Sequence, residues 1–176
     1  MAHFIRLILL AGVAVTALAQ PADELSLNGS GVRKRLFFEV YSIGLYLPKK
    51  TSSAEEAISG PGPKRVDIRM LRDVSAEQFS DALADGIRAN HSEVEVKALN
   101  ARVKQLAATM AEVKEAKKGM AIFLAWNGKE TQLVIDGKPT GSPIEGEDFY
   151  RALLRIWLGD KPVQDDLKKA LLGQAG

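Results

Sequence analysis

The feature that most constrains this chain is a hairpin signal in its second half. Met120 to Ala125 and Glu130 to Ile135 have the composition of β-strands, and Asn127-Gly128 stands between them. Asn-Gly readily adopts the positive φ angles that a tight antiparallel turn requires. The segment is therefore predicted to be a β-hairpin, and Asp136-Gly137 predicts another reversal directly after it.

More extended structure is predicted before the middle of the chain. Residues 25–47 have the pattern of two or three strands, with Gly29-Ser30-Gly31 expected to interrupt the run and Pro48 to end it. Residues 66–71 alternate apolar and polar side chains, which predicts one further strand.

Three capping boxes mark helix starts, each a serine followed three residues later by Glu or Gln: Ser53 with Glu56, Ser75 with Gln78, and Ser92 with Glu95. The first helix is short and ends before Gly60. The second is expected to close at Asn90 and to turn four side chains inward, namely Phe79, Ala82, Leu83 and Ile87. The third has an apolar stripe from Val96 to Val113, which suits a helix lying across a sheet better than the alternative of a coiled-coil seam.

A final helical pair is predicted over residues 149–156 and 164–172, separated by Gly159 to Pro162. The predicted elements come in the order of strands, two central helices, a hairpin and terminal helices. This order indicates an α+β fold. We expect an antiparallel β-sheet packed against a layer of α-helices, mainly on one face.

The first nineteen residues have the layout of a secretory signal. Arg6 precedes an apolar run over residues 7–15, and Ala17-Leu18-Ala19 places small residues where a signal peptidase cleaves. The run is shorter than the roughly 20 residues that a membrane-spanning helix needs. We expect cleavage after Ala19 and a periplasmic or secreted protein, with an uncleaved anchor as the alternative. Residues 20–176 are expected to form one domain with no integral membrane segment.

Composition excludes several kinds of chemistry. The chain has no cysteine, and His91 is its only histidine outside the leader, so thiol nucleophiles, disulfides and Cys/His zinc sites lack their atoms. No metal and no cofactor is expected, because acidic loops of calcium-binding spacing and glycine-rich phosphate loops are also missing. The net charge of +2 is too small for a nucleic-acid-binding protein.

One pair of side chains could bind an anion. Arg33 begins the run Arg33-Lys34-Arg35 in a segment typical of a strand, and Tyr41 lies in the next extended stretch. A guanidinium beside a phenol is a suitable receptor for a carboxylate or an enolate oxygen. The alternative is that Arg33 and Arg35 are solvated charges that protect an edge strand from aggregation. A one-residue bulge would decide which arginine faces inward.

Several segments, in order, resemble the chalcone isomerase fold family. They are Gly31-Val32-Arg33 followed by Val40 to Leu47, Arg72 to Ser75 leading into Glu77 to Asp81, Lys118 through the hairpin to Lys138, and Ile144 to Phe149 running on to Trp157 to Val163. The resemblance covers nearly all of residues 25–173 and is greatest to secreted bacterial chalcone isomerase-like proteins. It implies an open-faced β-sandwich, in agreement with the α+β prediction.

The resemblance to the plant enzymes implies that Arg33 would polarise a substrate, but the other catalytic positions differ. Tyr41 stands where those enzymes have Thr, Phe79 replaces their Tyr, and Ala82 and Gly86 replace their Lys and Asn. A further family Thr falls near Thr140 only if a gap is allowed. The remaining pair, Arg33 and Tyr41, resembles the carboxylate clamp of the non-catalytic plant fatty-acid-binding relatives.

We therefore expect an exported, non-catalytic protein that binds a fatty acid or similar amphipathic carboxylate between sheet and helices. Arg33 would neutralise the head group, Tyr41 would donate a hydrogen bond, and the tail would be lined by Phe79, Leu83, Ile87 and Met120. One alternative is an intramolecular lyase or isomerase of the chalcone isomerase type, acting on a phenolic or enone substrate, with Arg33 and Tyr41 as candidate catalytic residues. Another is an interaction module whose sheet–helix gap is filled by side chains. The sequence predicts no particular oligomeric state.

Overall fold

A computed structural model describes residues 25–174, so the leader predicted over residues 1–19 lies outside the described residues. The first half contains β1 (Ser26–Arg35), β2 (Phe38–Leu47), α1 (Ala54–Ser59), β3 (Lys64–Met70), β4 (Val74–Ser75), α2 (Ala76–Ala89) and α3 (Glu93–Val113). The second half contains β5 (Glu115–Ala116), β6 (Ala121–Trp126), β7 (Glu130–Ile135), β8 (Lys138–Pro139), β9 (Ile144–Glu145), α4 (Glu147–Leu158) and α5 (Asp165–Leu171).

Seven strands form one antiparallel sheet in the order β1-β2-β3-β6-β7-β8, with β9 also paired to β7, and β4 pairs with β5 in a separate ribbon. The register places four buried isoleucines in one row across the central strands, namely Ile43, Ile68, Ile122 and Ile135. Side chains of directly opposed residues share one face of a sheet. This isoleucine row therefore marks the face that is buried in the core.

The helical layer covers that same face. Eight of the twelve residues of helix α4 are buried, and its Tyr150 hydroxyl donates a 3.0 Å hydrogen bond to the carbonyl of Leu124 on β6. Helices α1, α2 and α5 pack against α4. The predicted α+β fold, an antiparallel sheet under a layer of helices, is confirmed.

Strand β1 is continuous through Gly29-Ser30-Gly31, so the predicted interruption there is wrong. Gly29 and Gly31 lie opposite Leu45 and Ile43 on the core face, and α5 packs directly on them. A Cβ added to Gly31 would stand 2.7 Å from Leu167 Cδ1, closer than carbon atoms can approach. The glycines therefore allow close helix–strand packing and do not break the strand.

The helix starts follow the predicted caps with one difference. Complete capping boxes form at α2 and α3. At α1, Ser53 accepts from the backbone N–H of Glu56, but the Glu56 carboxylate accepts a hydrogen bond from the Thr51 hydroxyl and does not complete a box. In α2, Leu83 and Ile87 are buried as predicted, whereas Ala82 is exposed, so its inward placement was wrong.

Candidate functional site

Arg33 and Tyr41 lie side by side at one end of the sheet. They are directly opposed partners on β1 and β2, and Tyr41 in turn lies opposite Met70 on β3. The backbone N–H of Met70 donates a 3.0 Å hydrogen bond to the carbonyl of Met120, just before β6. Arg33, Tyr41, Met70 and Met120 therefore form a row on the core face, next to the isoleucine row. We call these four residues the terminal row.

A register shift decides which arginine joins the terminal row. The shift falls between Arg33 and Lys34, after which Lys34 pairs with Glu39 and Arg35 with Phe38. Lys34 and Arg35 are exposed, whereas Arg33 is half-buried. Arg33 is thus the cation beside Tyr41, and Arg35 lies at the solvent-exposed end of the hairpin.

Neutral oxygen atoms hold the guanidinium of Arg33. Its Nη1 donates to the carbonyl of Lys34 and, at 3.2 Å, to Oε1 of Gln164. Within residues 25–174, no carboxylate oxygen lies within 4.0 Å of it. A guanidinium carries five N–H donors, so most of its donor capacity is unused by this part of the chain.

The hydroxyl of Tyr41 is also only half satisfied. Trp157 on α4 donates its Nε1–H to this oxygen at 2.9 Å, and within the described residues no acceptor receives the hydroxyl's own proton. Burial raises the pKa of Tyr41 above its ordinary value of 10.0, against the smaller opposing effects of the Trp157 hydrogen bond and the Arg33 charge. The phenol is therefore neutral at physiological pH and can donate one hydrogen bond.

Gln164, the residue before α5, ties Arg33 to the helical layer. Its Oε1 also accepts from the backbone N–H of Lys34 at 2.8 Å, and its Nε2 donates to the carbonyl of Val32 at 3.2 Å. These two bonds replace those that a neighbouring strand would make to the free edge of β1. The Gln164 amide thus protects the edge strand and fixes the position of Arg33.

Sequence reasoning did not assign site roles to Trp157 and Gln164. Trp157 lies 116 residues from Tyr41, and Gln164 lies 131 residues from Arg33. A local pattern does not reveal contacts at such separations. The available signal was that Trp157 lies in one of the segments that resemble the fold family, and that segment ends directly before Gln164.

The apolar residues expected to line a tail divide into two groups. Met120 belongs to the terminal row and is partly buried, and Phe79 is partly buried on α2. Leu83 and Ile87 are fully packed within the core, on a helix that packs mainly against α3 and α4. The structure thus brings Arg33, Tyr41 and Met120 together and places the three α2 residues in the helical layer.

Two surface clefts border the β1 side of the molecule. The first has a volume of about 260 Å³ and is lined by Gly31, Val32, Lys34, Glu39, Gln164, Asp166, Leu167 and Ala170. The second has a volume of about 340 Å³ and is lined by Asn28, Lys50, Thr51, Ser52, Leu172 and Gly173. Neither is lined by Arg33, Tyr41 or the four apolar residues expected to surround a tail. The first cleft does, however, share Gln164 with the site.

Other chemistry-bearing residues are placed away from this row. The Nδ1 of His91 lies 2.9 Å from the carbonyl of Ile87 on α2 and its Nε2 lies 3.4 Å from Nη1 of Arg155 on α4, so both ring nitrogens have partners in the helical layer. Among residues 25–174, no group of three or more His, Asp or Glu side chains is placed to hold a metal ion. None of the described helices is long and apolar enough to span a bilayer.

Comparison with known proteins identifies relatives of this architecture. A family model described as chalcone isomerase-like matches residues 9–173. The crystal structure of a fatty-acid binding protein from Arabidopsis thaliana is similar, with a TM-score of 0.68 at 12% sequence identity, over 89% of this chain and 92% of the plant chain. Comparison with curated protein sequences gives no match. At this identity the likeness to the plant protein establishes a shared fold.

Proposed function

Because this chain belongs to the chalcone isomerase-like family, we propose that it is a non-catalytic carrier of a fatty acid or similar amphipathic carboxylate. The observation that carries the proposal is the pairing of Arg33 with Tyr41 in the terminal row. The guanidinium has no carboxylate within 4.0 Å among the described residues, and the phenol has an unused proton. A plant protein with the same fold is a fatty-acid binding protein.

The head group would be bound by charge-assisted hydrogen bonds. One carboxylate oxygen accepts from the unused N–H groups of Arg33, and the other accepts from the Tyr41 hydroxyl. A half-buried guanidinium without a counter-charge is costly, because burial removes much of its hydration. An anionic ligand removes that cost, whereas a neutral ligand of the same shape does not.

The tail would run from the terminal row beneath the helical layer. Met70 lies opposite Tyr41, and Met120 is the next residue of the row. Methionine side chains repack at low cost around a ligand of irregular shape. Leu83 and Ile87 are closely packed in this structure, so an acyl chain that contacts them must displace α2 from its present position. We propose that ligand binding and a shift of α2 occur together.

Export is a separate part of the proposal. It is supported by the leader pattern over residues 1–19, with Ala17 and Ala19 before the predicted cleavage point. The N-terminal sequence of the protein purified from the periplasm or medium tests this: a mature chain that begins at Gln20 is expected. A protein found only in the cytoplasm with an intact leader would contradict export and leave the binding proposal unaffected.

The alternative is an isomerase in which Arg33 and Tyr41 polarise an enone substrate. Three positions on α2 argue against it, because Phe79 has no hydroxyl, Ala82 is exposed and Gly86 packs against Ile156. General acid–base catalysis requires a titratable group within reach of the substrate, and these positions supply none. Loss of chalcone absorbance that depends on Arg33 would instead favour the enzyme.

Calorimetric titration with dodecanoate tests the binding proposal. Replacing Arg33→Gln removes the charge and is expected to weaken binding at least tenfold, since hydrogen bonds to charged groups contribute about 1.5–3 kcal/mol. The matched control is Arg88→Gln, because Arg88 is exposed on α2 and, within residues 25–174, its one ion pair is with Asp85. Equal affinities in all three proteins, or no binding by the unmodified protein, would contradict the proposal.

A further inference from the structure

The β1–β2 hairpin ends in three consecutive exposed apolar residues. Leu36, Phe37 and Phe38 are 85%, 97% and 57% exposed. Only two other large apolar side chains within residues 25–174, Leu27 and Val94, are exposed, and each is isolated in the sequence. A cluster of exposed apolar side chains marks an interaction surface far more often than a single exposed one. We call Leu36-Phe37-Phe38 the hairpin tip.

The residues at the tip are poorly suited to the turn that they make. Leu36 has a φ of 55°, in the left-handed region that disfavours residues with a Cβ. The β6–β7 hairpin of the same chain uses Asn127-Gly128, with Gly128 at a φ of 96°, as turn geometry favours. Hairpin formation therefore does not explain a Leu-Phe turn, and backbone strain of this kind concentrates at functional sites.

Cationic side chains lie at the same end of the sheet as the hairpin tip. Lys34 and Arg35 precede it, and the Arg72 guanidinium lies over the Phe38 ring, 4.9 Å from its centroid. The turn that contains Lys117 and Lys118 reaches the same end of the sheet, because the N–H of Gly119 donates to the carbonyl of Met70 at 2.8 Å. Lys138 follows the turn between β7 and β8 at this end.

Cations outnumber acids at this end of the sheet. Residues 34–39, 71–73, 117–119 and 136–138 contain six exposed cations (Lys34, Arg35, Arg72, Lys117, Lys118 and Lys138) and three exposed acids (Glu39, Asp73 and Asp136). Asp73 and Asp136 each accept a hydrogen bond from a backbone N–H, at 2.7 and 2.9 Å. Asp166, in the cleft beside Lys34, is a further acid near the site.

We propose that the hairpin tip and the six cations at the same end of the sheet dock on an anionic lipid surface. Leu36 and Phe37 enter the boundary between head groups and acyl chains, while the cations contact lipid phosphates. A second copy of the chain is a poor occupant, because pairing two hairpin tips brings two sets of cations together. The apolar tip fits the acyl-chain boundary of an anionic bilayer, and the excess of cations at the same end of the sheet fits its charged head groups.

Docking goes beyond the proposed carrier function and does not depend on it. Arg33 lies three residues before Leu36, so the terminal row is at the end of the molecule that would face the lipid. A carrier docked in this way would have its carboxylate site beside the membrane. Binding to vesicles can nevertheless be measured without any fatty acid, so the two proposals can fail independently.

Tryptophan fluorescence can report insertion of the tip, because the natural Trp126 and Trp157 are both buried. The probe is Phe37→Trp in protein expressed from the full sequence, mixed with vesicles of phosphatidylcholine and phosphatidylglycerol. We expect a blue shift of the added emission and quenching by brominated lipids. Both effects should weaken with rising salt and with vesicles of phosphatidylcholine alone. The control is Val94→Trp, at a position 79% exposed on α3, which should show neither effect.

A double substitution, Leu36→Gly with Phe37→Asn, places glycine at the left-handed position, as Gly128 does in the β6–β7 hairpin, and should fold at least as well as the natural chain. We expect its sedimentation with anionic vesicles to fall at least tenfold. The proposal is overturned if the Phe37→Trp probe stays in water, or if the double variant binds vesicles as well as the natural chain. Self-association in the ultracentrifuge that the double variant abolishes would also overturn it, since the tip would then be an interface between copies.

Discussion

At the scale of single residues, the Tyr41 hydroxyl contributes both to the stability of the fold and to the proposed site. It accepts the hydrogen bond of the buried Trp157 indole, so its removal by Tyr41→Phe leaves that N–H without a partner. We expect the free energy of unfolding to fall by about 1–3 kcal/mol, the usual cost of an unsatisfied buried donor. Urea denaturation measures the change.

The matched control is Tyr46→Phe. Tyr46 lies on the sheet face opposite the helices, and its hydroxyl has no hydrogen-bond partner among residues 25–174. Its loss is expected to change stability by no more than about 0.5 kcal/mol. If the two substitutions had the same effect, the Trp157 bond would contribute nothing measurable to the fold.

Residue types could be predicted at this scale, but their partners could not. Arg33 and Tyr41 were identifiable because a cation and a phenol in adjacent strands suit an anion. Which arginine faced inward depended on a register shift, and the pattern of Arg33-Lys34-Arg35 alone does not show a bulge. Trp157 and Gln164 complete the site from the other end of the chain.

At the scale of elements, the packing of α5 on β1 depends on the absence of side chains at Gly29 and Gly31. A Cβ at Gly29 would overlap the backbone carbonyls of Ala170 and Leu171, and backbone atoms cannot move aside as a flexible side chain can. We expect Gly29→Ala to lower the free energy of unfolding by about 1–3 kcal/mol, as overpacking does. Thermal or urea denaturation tests this.

Ser30→Ala is the control, because Ser30 is exposed on the same strand and should tolerate the change within about 0.5 kcal/mol. An equally mild effect of Gly29→Ala would show that α5 adjusts to β1 freely. The position of Gln164, and with it that of Arg33, would then be less firmly fixed than we infer.

Locally encoded elements were predictable, whereas those shaped by distant contacts were not. The capping boxes at Ser75 and Ser92 and the Asn127-Gly128 turn act over a few residues, and all three appear where expected. Gly29-Ser30-Gly31 is predicted to interrupt the strand because glycine weakens an isolated strand. Its role becomes visible only when α5, far along the chain, packs on it.

At the scale of the whole molecule, two tyrosines, the fully buried Tyr150 and the partly buried Tyr41, make the stability of the fold depend on pH in the alkaline range. Burial raises the pKa of Tyr41 and of Tyr150 above the ordinary value of 10.0. The folded chain therefore holds these protons more tightly than the unfolded chain does. The stability associated with them is fully present below pH 10 and is lost as the pH rises towards the folded-state values.

We expect the free energy of unfolding to fall by up to about 1.4 kcal/mol per pH unit for each tyrosine above pH 10. Tyr41→Phe should remove the part of this pH dependence that comes from Tyr41. Subtracting the free energies of unfolding of the two proteins at each pH cancels the contributions of the other titratable groups. Urea denaturation from about pH 9 to 11.5 measures it. Parallel slopes would show that Tyr41 ionises as readily in the folded chain as in the unfolded one.

The fold of the whole molecule was predictable because the order of the predicted elements, the helix caps and the turn sequences all agreed with one architecture. The mode of ligand entry was not, since it depends on how tightly Leu83 and Ile87 pack under α2. The exposure of the hairpin tip could not be predicted either, because Leu36-Phe37-Phe38 has the composition of an ordinary strand.

The most direct measurement compares dodecanoate with dodecanol, two ligands with the same tail, in titrations of the natural protein and of Arg33→Gln. If Arg33 and Tyr41 bind a carboxylate, the natural protein prefers dodecanoate by at least tenfold, and Arg33→Gln loses that preference while retaining weak binding to both. If the natural protein binds the two equally, or keeps its preference without Arg33, the terminal row is not a carboxylate site.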